Sequence, residues 1–429
     1  MTTVNGPGGP APHGTALEAE RRGVEVARVR RALARGASLD AALGAGAEPT
    51  TGAGGLARLS RTVRAEVEGA GPVLQPLLDT DGVTDVLVGG GRIWIDRGQG
   101  LEEVEEAALG EPEARALAVR MAAACGRRLD DACAVVDATL PDGTRLNAVL
   151  PPLSADGTLI CLRTSRRRAF TLAELVEAGT LAPGLDLVLA ALVSARASCL
   201  VTGATGTGKT TLLAALLGLV PATERIVCIE EASELRPAHP HVIHLQERGD
   251  NVQNVGAVPM TALVRTALRM RPDRIVLGEC RGPEVRDVLT ALNTGHEGGW
   301  ATLHANSPGD VPARLTALGA LAGLSEQAVA AQAASALDAV VHLRRTASGP
   351  GPARARRYVS AVGVLRRAGS GALLCDDAIL IDPGGRMSAG PAVDRLIDRL
   401  GAAAVGAAVP GPVDPERGGR ASPGGQGEP

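Results

Sequence analysis

An α/β fold with a mainly parallel sheet, preceded by a smaller α+β unit, is predicted by three observations. From residue 186 onward, continuous apolar runs of strand length alternate with helical stretches; Ile226-Val227-Cys228-Ile229 and Ile275-Val276-Leu277 are two of them. Strands covered on both faces read this way, and all-parallel sheets are covered on both faces. Between another such run and a helix lies Gly203-Ala204-Thr205-Gly206-Thr207-Gly208-Lys209-Thr210. Residues 70–165 instead carry short apolar runs bounded by Gly-rich and Pro-Asp-Gly turns, the mark of hairpins.

Taken in order, residues 1–15 are rich in Gly, Pro and Thr and are expected to be disordered. Residues 16–69 read as a helical extension with a solvated, charged face. In the α+β domain, 70–165, Val83 to Val88 and Arg92 to Asp96 flank Gly89-Gly90-Gly91 as a hairpin, and 112–125 is helical. Asp137 to Leu140 and Arg145 to Val149 flank Pro141-Asp142-Gly143-Thr144 as a second hairpin, and Leu159 to Arg163 is a further strand. Residues 166–185, with Arg166-Arg167-Arg168, read as a solvated linker. The domain from 186 to 390 should alternate: helix Leu185 to Ala195, strand Ser198 to Thr202, helix Lys209 to Leu219, strand Arg225 to Glu230, helix Met260 to Met270. Strand Ile275 to Leu277, helix Val285 to Leu292 and strand Trp300 to Leu303 follow, then a helical 309–340 and final strands within 355–382. Residues 391–429, rich in Gly, Pro and Ala, are expected to be largely disordered.

Composition narrows the function. Of 44 basic residues, one is lysine, Lys209, and the rest are arginine. A compact ammonium kept at one position is not interchangeable with a guanidinium. A net charge of −3 and 1% aromatics argue against direct nucleic-acid binding, which needs a basic face and stacking platforms. Seven dispersed cysteines without a Cys-x-x-Cys pair read as reduced, buried thiols of a cytosolic protein. No targeting segment is visible, and no clean run of 18 apolar residues suggests a membrane span.

The strongest motif is the glycine-rich turn. Its pattern, Gly-x-x-x-x-Gly-Lys-Thr between strand and helix, is a P-loop. Backbone N–H groups of Gly203, Ala204, Thr205, Gly206, Thr207 and Gly208 would converge on a phosphate, aided by the helix N-terminus beginning at Lys209, Thr210 and Thr211. Lys209 should reach the β/γ oxygens and the Thr210 hydroxyl should ligate Mg²⁺. A chance turn is the competing reading, disfavoured because lysine is so scarce. Ile275 to Leu277 runs through Gly278 into Glu279, a buried strand ending in a carboxylate, with Gly278 where a Walker B Asp is usual. Ile229-Glu230-Glu231-Ala232-Ser233-Glu234 is either a second carboxylate cluster of the site or a charged helix start; spacing leaves both open. His296 and His304 flank the strand at Trp300. His239, His241 and His244 lack a fourth ligand in range and read as loop histidines rather than a metal site.

In this order these elements resemble the ATPases that power type II and type IV secretion, type IV pili and tight-adherence pili. The similarity is greatest to the tight-adherence pilus assembly branch, close to the conjugation-type ATPases. It is carried by Leu140 to Leu153, the P-loop, Arg269 to Glu279, and Gly295-His296 through Ser307, and it runs from about 70 to 345. The resemblance implies a RecA-like domain behind an α+β domain, a hexameric ring with ATP and Mg²⁺ at the domain junction, and a place on the inner face of the cell membrane against a platform protein. It implies that Glu230 and Glu234 serve metal and water, that Glu279 is the Walker B glutamate, and that His296 and His304 sense the γ-phosphate. It also makes Arg163 a candidate phosphate contact, with Arg271, Arg274 and Arg281 as further candidates. Two departures are Glu231, where the family has Asp, and the bulky Trp300. A helicase-like nucleic-acid motor and a non-hydrolysing nucleotide-binding scaffold are the rival classes.

Overall fold

The computed structural model describes residues 24–409, apart from 30, 33–34, 48–51, 53, 58, 61–62, 64–68, 99, 165–167, 249–255, 347–355 and 407–408. The expectations for residues 1–15 and for Arg166-Arg167 lie outside the described residues. The chain divides into two units, 1–165 and 166–429.

In the first unit, helix α1 (Leu39–Gly46) starts at Ser38, whose side chain accepts the Ala41 N–H. Its Leu43 packs with Val26, Val29, Leu59 and Val63 in a small apolar cluster. After α2 (Gly71–Leu78) come β1 (Asp85–Gly89), β2 (Arg92–Asp96), β3 (Leu101–Glu103), α3 (Glu111–Ala124), β4 (Val135–Thr139), β5 (Arg145–Val149) and β6 (Leu159–Arg163). They form an antiparallel sheet of order β3-β2-β1-β6-β5-β4. Alternation decides the faces: Val86, Val88, Ile93, Ile95, Leu146, Leu162 and Ile160 point to one core with Ala118 and Met121 of α3. Strand β3 is exposed at all three positions, so it carries no alternating signal in the sequence. Arg163 ends β6 on the exposed side, 3.9 Å from the Asp85 carboxylate.

The second unit opens on α4 (Leu172–Glu177) and α5 (Leu185–Ser194). The segment expected to be a linker is therefore partly helical. Thr171 and Glu174 form a capping box, and Leu172 and Leu175 are buried in the core. The sheet is built from β7 (Cys199–Thr202), β8 (Ile226–Glu230), β9 (Val242–Gln246), β10 (Arg274–Leu277), β11 (Trp300–Leu303), β12 (Ala339–Arg345), β13 (Arg357–Arg367), β14 (Leu373–Ile381) and β15 (Met387–Ala389). Its order is β15-β14-β13-β12-β7-β11-β10-β8-β9. Pairing is parallel from β12 to β9 and antiparallel from β12 to β15. Helices α6 (Lys209–Leu217), α7 (Met260–Leu268), α8 (Glu284–Asn293), α9 (Val311–Leu321) and α10 (Glu326–Ala336) cover it, with one apolar core on each face.

Two expectations are corrected here. Strand β9 takes in His244, which is therefore not a loop residue; its mixed composition, Val-Ile-His-Leu-Gln, hid an edge strand. Beyond residue 391, α11 (Val393–Leu400) and α12 (Ala402–Gly406) are ordered, with Leu396, Val405 and Val409 buried. Val393, Leu396, Ile397 and Leu400 repeat at helical spacing, a signal masked by the Gly/Ala/Pro content around them.

The edge where the parallel strands begin is held by charge. Arg274, whose side chain is 1% exposed, places Nε 2.6 Å from the Glu224 carboxylate and donates to the Val193 carbonyl. Arg196 meets the other Glu224 oxygen at 2.9 Å. Arg274 opens β10, whereas the P-loop leaves the far end of β7, so Arg274 serves the fold and does not face the phosphate turn of its own chain. Arg271, in the loop before β10 at φ 53°, lies at the same edge. Arg274→Ala leaves Glu224 only one partner and should cost about 3–5 kcal/mol in urea unfolding, whereas exposed Arg271→Ala should stay within about 0.5 kcal/mol.

Candidate active site

Strand β7 is buried at all four positions and delivers the chain into the turn at Gly203. Gly203, Gly206 and Gly208 have φ of 148°, 75° and 99°. At Gly203 a Cβ would lie 2.5 Å from the Leu343 carbonyl oxygen and 2.7 Å from Thr207 Oγ1, so only glycine fits between β12 and the turn. Gly208 precedes α6 in a left-handed conformation and offers no side-chain cap. The first N–H groups of α6 therefore face the turn without a side-chain acceptor, the arrangement in which a phosphate binds. Thr210 and Thr211 lie half-buried in the first turn of that helix.

Lys209 is buried. Its Nζ donates to the carbonyls of Gly203 at 3.1 Å and Ala204 at 3.3 Å. It also lies 3.4 Å from His304 Nε2 and 3.5 Å from Nδ1. Burial pulls the lysine pKa down, with Glu279 acting in the opposite direction. The ammonium is thus desolvated and held by neutral carbonyls, a state that a polyanion in the turn would relieve.

His304 arrives beside Lys209 through the strand order. It follows β11, which lies between β7 and β10. Across β11, Glu279 Oε1 sits 2.5 Å from His304 Nε2. The other Glu279 oxygen is 2.6 Å from Arg281 Nη2, and Arg281 Nη1 donates to Glu231 at 2.7 Å. A row therefore runs Lys209–His304–Glu279–Arg281–Glu231 along the ends of the strands. Burial and then the neighbouring ammonium lower the His304 pKa, against an upward pull from Glu279. The loop after β10 is fixed by Glu284, whose Oε1 accepts the N–H groups of Arg281 and Gly282. Arg314 donates to the His304 carbonyl at 3.1 Å. Sequence reading singled out neither Glu284 nor Arg314; the Pro283-Glu284 helix start was the only cue to the first.

Glu230 ends β8 and is 3% exposed. Its Oε1 accepts N–H groups from Glu234 and Leu235, both at 2.9 Å, so this carboxylate shapes the 231–235 loop. Its Oε2 is buried without a hydrogen-bond partner, 3.7 Å from His244 Nδ1. Such an orphaned anionic oxygen fits a site that takes a hydrated cation. Among the described residues no group of three or more His, Cys, Asp or Glu could hold a metal alone. A Mg²⁺ here would need the Thr210 hydroxyl, phosphate oxygens and water.

The structure also explains Gly278. A Cβ there would lie 2.7 Å from Glu230 Cγ, so an aspartate at 278 and a glutamate at 230 exclude one another. His296 does not join the row. It precedes β11 while His304 follows it, and a four-residue strand separates its ends by about 13 Å. The expectation that both histidines reach the phosphate of one turn is corrected accordingly: His296 lies at the edge of Arg274, where Gly298 packs on the guanidinium. Gly278→Ala should displace Glu230, costing about 1–3 kcal/mol of stability and at least about tenfold in ATP turnover; urea unfolding and phosphate release measure the two effects.

Residues 66–363 match the family model described as Type II/IV secretion system protein. A Mycobacterium tuberculosis protein named as a conjugal transfer protein is 49% identical over 315 residues, spanning 72% of this chain and 88% of its own. Type IV secretion system protein PtlH of Bordetella pertussis is 37% identical over 267 residues, 57% of this chain and 78% of that one. Among solved structures, the VirB11 ATPase of the Brucella suis type IV secretion system, in complex with sulphate, is 26% identical with a TM-score of 0.35, covering 68% of this chain and 92% of that one. A P-loop on a parallel sheet, the lysine–histidine–glutamate row and a match over most of the chain lead to one conclusion: this protein is an ATPase of the type II/IV secretion system family, with a P-loop α/β domain that follows a smaller α+β domain in the sequence.

Proposed function

We propose that this ATPase is the motor of a secretion, pilus-assembly or conjugal-transfer machine, working as a ring of six against a platform protein at the inner face of the cell membrane. The relatives named for conjugal transfer and type IV secretion support that reading. So does the net charge of −3, which is not that of a wholly basic nucleic-acid binder. Among the described residues no helix is long and apolar enough to cross a membrane, in keeping with peripheral attachment.

One observation carries the chemistry: an ammonium, an imidazole and a carboxylate stand in contact at the ends of three adjacent strands. In the proposed reaction Lys209 exchanges its own-loop carbonyls for the β- and γ-phosphate oxygens. Glu279, with Glu234, orients a water for in-line attack on the γ-phosphorus. His304, poised between lysine and carboxylate, registers whether the γ-phosphate is present. Mg²⁺, when bound, supplies charge neutralisation on the β/γ oxygens, and Thr210 and Glu230 would hold it, partly through water. Arg163 of the α+β domain is proposed as a further phosphate contact.

Lys209→Ala should abolish phosphate release while leaving the far-UV circular dichroism unchanged, because the side chain bonds the turn rather than the core. Collapse of the helical signal would sink that assignment. Glu279→Gln should keep Mg-ATP affinity within about threefold by calorimetry and lower turnover by at least about 100-fold. Normal turnover in that variant would show that another carboxylate positions the water.

A further inference from the structure

His342 is a buried histidine that the proposed chemistry does not use. It sits in β12 with 1% exposure and pairs across the sheet with Thr202, the last residue before the P-loop. Its Nδ1 lies 2.9 Å from Thr202 Oγ1. Asn306, two residues beyond His304, lies beside the ring, and Pro308 packs on Gly363 of β13, which pairs with Val340 of β12. The segment that follows β11 thus crosses β7 to reach β12, because β11 and β12 flank β7 on opposite sides. One imidazole therefore ties the strand end that launches the phosphate turn to the segment that carries the phosphate-facing histidine. The next residue, Leu343, presses its carbonyl against Gly203.

We propose that His342 is a positioning residue that sets the register between the P-loop and the 304–306 segment, so that nucleotide in the turn is felt at His304. With Nδ1 accepting from the Thr202 hydroxyl, the ring is the neutral imidazole. Burial, with Arg344 nearby, pushes its pKa down to about 4, so it keeps that form near neutrality. Neither contact requires a change of charge; the ring acts as a rigid spacer between β7 and the segment after β11. A misplacement of about 1 Å at reacting groups can cost about 100-fold in rate without loss of binding, which is the signature expected here.

The inference rests on the hydrolysis reading, and the test keeps the two apart. Full-length wild type, His342→Leu, His342→Gln, Thr202→Val and the His342→Leu/Thr202→Val double variant are compared in three measurements: ATP affinity, phosphate release, and amide exchange at 203–209 and 303–306 with and without a non-hydrolysable ATP analogue. His342→Leu should bind ATP within about threefold of wild type while turnover falls about 10- to 100-fold. In it the analogue should still protect 203–209 but no longer 303–306. Thr202→Val, a shape-conserving change suited to a strand, should reproduce this even if His342→Leu folds poorly. The double variant should be no worse than the poorer single, and His342→Gln should recover part of the turnover. Undiminished protection at 303–306 in His342→Leu and Thr202→Val, losses that multiply in the double variant, or a Gln variant no better than Leu would overturn the proposal. Absence of turnover in wild type would instead remove the hydrolysis reading, and the exchange data would still decide the role of His342.

Discussion

The placement of β11 between β7 and β10 is the constraint on which the site depends. Parallel strands all end on the same edge, so the loop that follows each one opens next to its spatial neighbours. The P-loop follows β7, His304 follows β11, Glu279 follows β10 and Glu230 ends β8. Groups separated by up to 95 residues in the chain thus come within hydrogen-bonding range without any of them being held by a long flexible loop. The strands themselves are short and fully buried, so the apolar core fixes the positions of the polar ends. The same rule gives the opposite edge to Arg274 and Arg196, which serve cohesion through Glu224, and to His296.

The polar groups of the row meet neighbours within the chain. Lys209 has two turn carbonyls, Glu279 has His304 and Arg281, and Glu231 shares Arg281. The buried end of the row, at Lys209 and Glu279, is costly to desolvate but more costly to break by removing one member, whereas the exposed Arg281–Glu231 pair contributes little. An incoming triphosphate must therefore replace contacts already made, and the row is organised before the nucleotide arrives. Preorganisation of this sort lowers the reorganisation required in the transition state. The Glu230–Gly278 pair adds a steric rule: the carboxylate at the end of β8 occupies the space that a side chain at 278 would need.

Much of this was legible from residue order. The turn at 203–210 declares itself by glycines around a solitary lysine, and the continuous apolar strands identify a parallel sheet before any coordinates. Glu279 follows from its strand. What sequence could not give was adjacency. Arg281, Arg271 and Arg274 were equivalent candidates on paper; topology sends one to the carboxylates and two to the far edge. His296 and His304 looked like a pair because they flank one strand, and that strand is what separates them. The missed elements have local causes: β3 is wholly exposed, β9 mixes polar with apolar positions, and α11 is embedded in sequence whose Gly and Pro content suggests disorder.

The buried ammonium at 209 has a practical corollary. Because no other side chain in the protein bears a primary amine, acylating reagents meet one internal target besides the chain's own α-amino group. Amine-directed cross-linkers will then say almost nothing about contacts between copies of the chain. An acyl-phosphate reagent, by contrast, becomes a background-free gauge of whether the turn is occupied, since its label can be assigned to a single peptide.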